Sequence, residues 1–188
     1  MKPRKFTDRL FLAAELPRFA RERIMESRKK WRKQLQGDVR WVPPLNLFLK
    51  LRYLGELERK TSKQLSARLE ELCAATPCIQ LVVEGVGVSP NPAEATQIWL
   101  GLERSAELTN LRNSIEDGCR SLQIAKDKKP FQHRINLSKT SPPQAVGDLQ
   151  IKNVLKGFRL KNIALMESRT GQNGPSYHTL RKFSLKLD

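Results

Sequence analysis

Cysteine and histidine are both scarce in this chain of 188 residues. The three cysteines, Cys73, Cys78 and Cys119, form no CxxC pair, and their odd number argues against a disulfide framework. Free thiols in a reducing cytoplasm are the expectation. The two histidines, His133 and His178, belong to no Cys/His cluster, so neither a structural zinc site nor any other metal or cofactor is expected. No apolar run approaches the length of about 18 residues that a membrane-spanning helix needs. The start, MKPRKFTDRLFLAAELPR, is basic and briefly apolar, but Glu15 follows with no small-residue cleavage site, which speaks against a signal peptide. A cytoplasmic monomer without membrane association is the resulting expectation.

Acidic residues are the other shortage, 19 against 35 Lys and Arg, for a net charge of +16. The imbalance is uneven. Between Glu56 and Asp117 there are six basic and ten acidic residues, so the excess lies in the rest of the chain. A charge that segregated points to a polyanionic partner, nucleic acid first. A solubilising surface or an anionic lipid partner is the plainer account. A hydrophobic content of 39% suffices for one core, in a single domain spanning 1–188 or in two intimate lobes.

The chain alternates strands and helices. RLFLAAEL reads as a buried strand stopped by Pro17. From Arg18 to Gln36 the residues Ala20, Ile24, Trp31 and Leu35 recur at helical spacing, with Gly37 at the expected stop. Eight basic residues crowd Arg18 to Lys33, and Arg28, Lys29 and Arg32 are assigned to a basic surface. VRWVPPLNLFLKLRYLG reads as an extended piece, a double-proline break and a strand of period two. That period puts Phe48, Lys50, Arg52 and Leu54 on one face, and Leu47, Leu49, Leu51 and Tyr53 on the other. Helices are expected at Thr61–Thr76 and Ser105–Leu122, with two strands between them, IQLVVEGVGV and TQIWLGL. A second alternating strand covers Gln132–Ser138, and Pro142–Gly157 reads as loop plus a short helix. Two final strands, LKNIALMES and SYHTLRKFSL, are joined by RTGQNGP. Without repeated parallel crossovers, an α+β fold with antiparallel sheets is predicted.

In this order the stretches RLFLAAELP, RWVPPLNLFLKLRYLG, IWLGL, PFQHRINLSK and ALMESRTGQNGPSYHTLRKFSL resemble the RNA 2',3'-cyclic phosphodiesterases. These are also called the 2'-5' RNA ligase family, and they belong to the two-histidine phosphoesterases. The resemblance runs from Arg9 to Leu185. It implies a bilobal fold of two pseudo-symmetric antiparallel-sheet lobes, with helices outside and a central basic cleft. Each lobe of such a fold contributes one His-x-Thr motif from a central strand. Residues two apart on a strand share a face, so His and Thr reach the cleft together. One imidazole can then activate water while the other protonates the leaving oxygen, without a metal.

Carried over residue by residue, the first His-x-Thr pair falls on Phe48 and Lys50, and the second on Arg134 and Asn136. Phenylalanine has no proton to give, and arginine stays protonated to above about pH 12. The resemblance therefore implies a chain with no catalytic residue at these positions. Of the two histidines, alternation turns His133 away from the cleft, and His178, one residue after Tyr177, reads as a surface or lobe-packing residue. Lys50, Arg134, Asn136 and Arg52 offer phosphate binding in place of chemistry. Phe48 offers either a stacking ring for a base or a plug for the pocket. The expected function is binding of RNA or another phosphate-bearing ligand without hydrolysis. The alternatives are cyclic phosphodiesterase activity by an altered mechanism, or an assembly role in a ribonucleoprotein.

Overall fold

The structure, a computed structural model, describes residues 9–35, 39–127, 130–146, 155–171 and 174–187. The apolar run near its start forms strand β1, Arg9–Glu15. Pro17 ends it, and helix α1 covers Arg18–Gln34. That is slightly shorter than expected, and Gly37 lies outside the described residues. Strand β2 is Val39–Trp41, and a 3-10 turn at Pro44–Asn46 carries the double-proline break into β3, Phe48–Gly55. Helix α2 is Arg59–Ala75, and strands β4, Ile79–Ser89, and β5, Ala95–Leu102, follow. Helix α3, Ala106–Ser121, is capped by Ser105, whose hydroxyl accepts a hydrogen bond from the Leu108 N–H at 3.1 Å. Strands β6, Arg134–Gln144, β7, Gly157–Leu160, β8, Asn162–Gly171, and β9, Gly174–Ser184, complete the described chain. The middle of the loop-plus-helix segment expected at Pro142–Gly157 lies outside the described residues, and its first residues continue β6.

The strands form two sheets, β3-β1-β8-β9 and β2-β6-β5-β4-β7, and every ladder within them is antiparallel. The fold is the α+β arrangement that the sequence implies. Alternation sorts the residues of the first sheet between two faces. Leu10, Leu12, Ala14, Ile163 and Leu165 join the main core, which continues through Ile98, Leu100, Ile135 and Leu137 of the second sheet. The buried residues of α2 and α3 belong to that same core. Phe11, Ala13, Ala164 and Met166 form a separate cluster on the opposite face, with Phe48 and Tyr177 packed against it. This second face borders the candidate site.

Two sequence expectations are corrected here. Along β3 the ladder pairs Leu12 with Arg52 but Ala13 with Lys50, so one step on β1 spans two on β3. The extra residue is Leu51, and the bulge reverses the facing of Arg52 and Tyr53, before a second register shift between Tyr53 and Gly55. Arg52, expected beside Lys50 on the cleft face, is instead buried on the core side with 1% exposure. Tyr53 takes the exposed side in its place.

Arg28, expected on the basic surface, is only 4% exposed. It sits four residues after Ile24 and three before Trp31, on the buried stripe of α1. Its Nη2 donates to the Leu137 carbonyl at 3.2 Å, and its guanidinium lies 5.3 Å from the Trp41 ring centre. Burial, with repulsion from Arg32, pulls its pKa down to about 10, so it stays charged at neutral pH.

The cysteines are free thiols, as expected. Burial pushes Cys73 up to about 12 and Cys119 up to about 11, which leaves both unreactive.

Candidate phosphate and nucleic-acid site

Strands β3 and β6, which carry the two matched alternating segments, lie against each other where the two sheets meet. Near this junction the Tyr53 N–H of β3 donates to Asp127 Oδ2, in the loop before β6, at 3.1 Å, and the Val42 N–H extends the β2–β6 ladder by donating to the Leu137 carbonyl at 2.9 Å. The fold thus brings the two segments together from opposite halves of the chain.

On the β3 side, Phe48 is half-buried in an aromatic group. Its ring centre is 5.3 Å from Phe11 and 5.3 Å from Tyr177, the latter edge-on. Pairs of this geometry add about 0.5–1.5 kcal/mol beyond burial alone. Lys50 is held by rings rather than by a carboxylate. Its Nζ lies 4.3 Å from the Tyr53 ring centre and 5.1 Å from that of Phe11, and it donates to Tyr53 Oη at 3.1 Å. Burial, together with Tyr53, raises the Tyr177 pKa, so that its hydroxyl remains a neutral donor.

On the β6 side, Arg134 donates through Nη1 to Ser89 Oγ at 3.0 Å and through Nη2 to Gln97 Oε1 at 3.2 Å. Its guanidinium lies 5.6 Å from the Trp99 ring centre. Trp99 in turn donates Nε1–H to Ser89 Oγ at 2.9 Å. The indole lies directly over Gly87, where a Cβ would come within 2.2 Å of the ring, so only glycine fits. Burial lowers the Arg134 pKa, yet a guanidinium in a protein keeps its charge. Asn136, the next residue on the same face of β6, is exposed.

Among the described residues neither Lys50 nor Arg134 meets a carboxylate; their partners are rings, a phenol, a hydroxyl and an amide. Arg134 also keeps its Nε–H buried without a partner. Both cations are thus held by neutral groups, on the two strands that meet where the sheets join.

The remaining candidates lie elsewhere. The His133 ring packs 4.6 Å from Phe131, and its Nε2 is buried without a partner. Burial, then the charge of Arg104, pulls its pKa down, so the imidazole is neutral at pH 7. His178 is exposed, and its Nε2 lies 3.4 Å from Ser176 Oγ. Arg52 belongs to the frame. Its Nε is 2.6 Å from Glu116 Oε2, an ionic contact off the N–H axis. It donates to Glu116 Oε1 at 3.3 Å, to the Ala125 carbonyl at 2.7 Å and to the Tyr53 carbonyl.

Tyr53, Trp99, Ser89 and Gln97 are site residues that the sequence pattern alone does not single out. The spacing of Gly87 and Trp99 carries no recognisable motif, and the bulge that turns Tyr53 outward is silent in the sequence. Of the three helix residues assigned to the basic surface, Lys29 and Arg32 are exposed as expected. Reversing both to Glu should weaken binding of single-stranded RNA and flatten its salt dependence, while Arg28→Ala should instead lower the melting temperature. Titration at several salt concentrations, beside thermal denaturation, checks the contrast.

No family model matches the chain. The RNA 2',3'-cyclic phosphodiesterase of Archaeoglobus fulgidus is 30% identical over 181 residues, spanning 93% of this chain and 99% of the relative. Among solved structures, one from Thermus thermophilus superposes with a TM-score of 0.78 at 25% identity, covering 96% of this chain and 99% of that one. Escherichia coli LigT complexed with 3'-AMP superposes with a TM-score of 0.71 at 24% identity, over 95% of this chain and 97% of its own.

Proposed function

Because the chain belongs to the RNA 2',3'-cyclic phosphodiesterase family, we propose that it is a member that binds RNA or another phosphate-bearing ligand without hydrolysing it. One observation carries this reading. The positions that the resemblance assigns to the acid and base hold Phe48, packed among aromatic rings, and Arg134, stacked beside Trp99. Neither side chain can take up and release a proton near neutrality. What the two strands offer is charge, in Lys50 and Arg134, with Asn136 as a neutral donor. Arginine can grip a phosphate through two parallel hydrogen bonds, and lysine adds a point charge. The complex of Escherichia coli LigT with 3'-AMP supports a phosphate-bearing ligand for this fold. The whole chain, 1–188, is read as one bilobal unit around that cleft.

The test measures binding and turnover on one substrate. RNA ending in a 2',3'-cyclic phosphate should bind in a salt-dependent way and should not be opened faster than in a mock preparation. Lys50→Ala with Arg134→Ala should weaken that binding by about tenfold or more, since charge-assisted hydrogen bonds are worth about 1.5–3 kcal/mol each. Turnover abolished by changing His133 or His178 would overturn the reading and mean a relocated base. Unchanged binding in the double variant would move the ligand off the cleft and favour an assembly role through α1.

A further inference from the structure

A cavity of about 530 Å³ opens on the face of the first sheet that carries the aromatic group. Phe48, Lys50, Arg134 and Asn136 do not line it. It reaches the aromatic group through Met166 and Tyr177, which line the cavity and also pack with Phe11 and Phe48. Five cations from separate stretches of chain converge on it: Arg18 and Arg21 from α1, Arg159 from β7, Lys161 after β7 and Lys182 from β9. Among the described residues Glu15 is its one lining carboxylate.

Nearby carboxylates answer only part of that charge. Lys182 pairs with Glu15 at 2.7 Å, and Arg18 pairs with Glu22 at 2.7 Å on the exposed surface of α1. Among the described residues Arg21 and Lys161 make no ion pair. A concave surface holding this much charge of one sign is costly alone and focuses its potential on an anion. The volume is that of a small-ligand site. Continuity with the Phe48 and Tyr177 rings favours a polymer over a free ion. A base lying on those rings would carry a neighbouring phosphate of the same strand towards Arg21 and Lys161.

We propose that this cavity is a second phosphate subsite, which receives the backbone of single-stranded RNA as it leaves the β3–β6 cleft. The proposal rests on the RNA-binding reading of that cleft and extends it along the strand.

The experiment compares an RNA of about eight nucleotides, a length within the range that single-strand grooves cover, with 3'-AMP. Each is titrated over a range of salt against the parent chain, Arg21→Gln/Lys161→Gln, and Lys50→Ala/Arg134→Ala. Melting temperatures confirm that all three are folded. The cavity variant should lose tenfold or more for the RNA and keep its 3'-AMP affinity within twofold. Its salt slope should be shallower by about 1.4, two contacts at about 0.7 each. The cleft variant should weaken both ligands. An unchanged affinity and slope for RNA in the cavity variant overturns the subsite and leaves the cleft reading standing. Loss in the cavity variant with none in the cleft variant keeps the subsite and removes the cleft reading. No RNA binding by the parent chain overturns both. Inorganic pyrophosphate is titrated in parallel; if it binds the parent tightly through Arg21 and Lys161 where RNA does not, the cavity serves a free phosphate compound.

Discussion

Glu116→Gln will lower the stability of this protein by about 3–5 kcal/mol, the range for breaking a buried ion pair from one side. The variant keeps the buried guanidinium of Arg52 and removes the carboxylate 2.6 Å from its Nε. It also leaves Arg112, whose Nη1 lies 3.5 Å from the same carboxylate, facing Arg52 as a second uncompensated cation. In a chain of this size the melting temperature should fall by about 10 °C. Arg52→Met should cost less, because Glu116 then retains Arg112. The double change Arg52→Met with Glu116→Leu should recover much of the loss, since an apolar pair needs no compensating charge. Thermal denaturation of the three variants checks the order. Ligand affinity measured at the cleft should barely move in any of them. A cleft role for Arg52 would instead show as lost affinity with little lost stability.

On the proposed reading, installing His-x-Thr pairs at both motif positions should give the chain weak phosphodiesterase activity. The change is Phe48→His, Lys50→Thr, Arg134→His and Asn136→Thr. Positioned general acid–base groups contribute about 10²–10⁴-fold, so even poorly supported imidazoles should raise turnover above that of the parent. The new imidazole at position 48 would replace a ring packed against Phe11 and Tyr177, an apolar setting that favours its neutral form. Affinity for a phosphorylated ligand should drop in the same variant, because two permanent cations are gone. Turnover is read with 2',3'-cyclic-phosphate RNA, and affinity by titration with 3'-AMP. A folded variant with unchanged affinity and no turnover would show that the anion binds elsewhere. The proposed cleft would then have to be abandoned.

Much of the fold was legible in the sequence because one physical signal, alternation or its 3.6-residue counterpart, dominates most elements. Leu65 and Leu69, and likewise Leu108, Leu111, Ile115 and Cys119, are buried where helical spacing puts them, whereas Leu72, expected inward as well, is half-buried and Cys73 takes the inward place. The signal was also present at Arg28, whose spacing from Ile24 and Trp31 marks the buried stripe. There the charge of the side chain points to solvent while its position points to the core. At Arg52 no such signal existed. A bulge inserts one residue without changing local composition, so period two continues on paper while the strand turns over at Leu51. Strand β7 escaped because four residues are too few to establish a period. The strand placement of Phe48, Lys50, Arg134 and Asn136 was legible. The groups that hold the two cations were not, since Trp99, Ser89 and Gln97 meet Arg134 only through pairing of β4, β5 and β6.

The indole resting on Gly87 has an optical consequence. The chain has three tryptophans, and two of them, Trp31 and Trp41, stack on each other at 6.0 Å between α1 and β2. Trp99 alone sits beside Arg134, with its N–H directed to the hydroxyl that the guanidinium also uses. An anion that draws Arg134 away removes both a charge from over the ring and a competing donor from Ser89. Intrinsic emission from this protein therefore has one component beside Arg134 and another from the stacked pair of α1 and β2. The native chain carries its own probe of Arg134, with no attached dye.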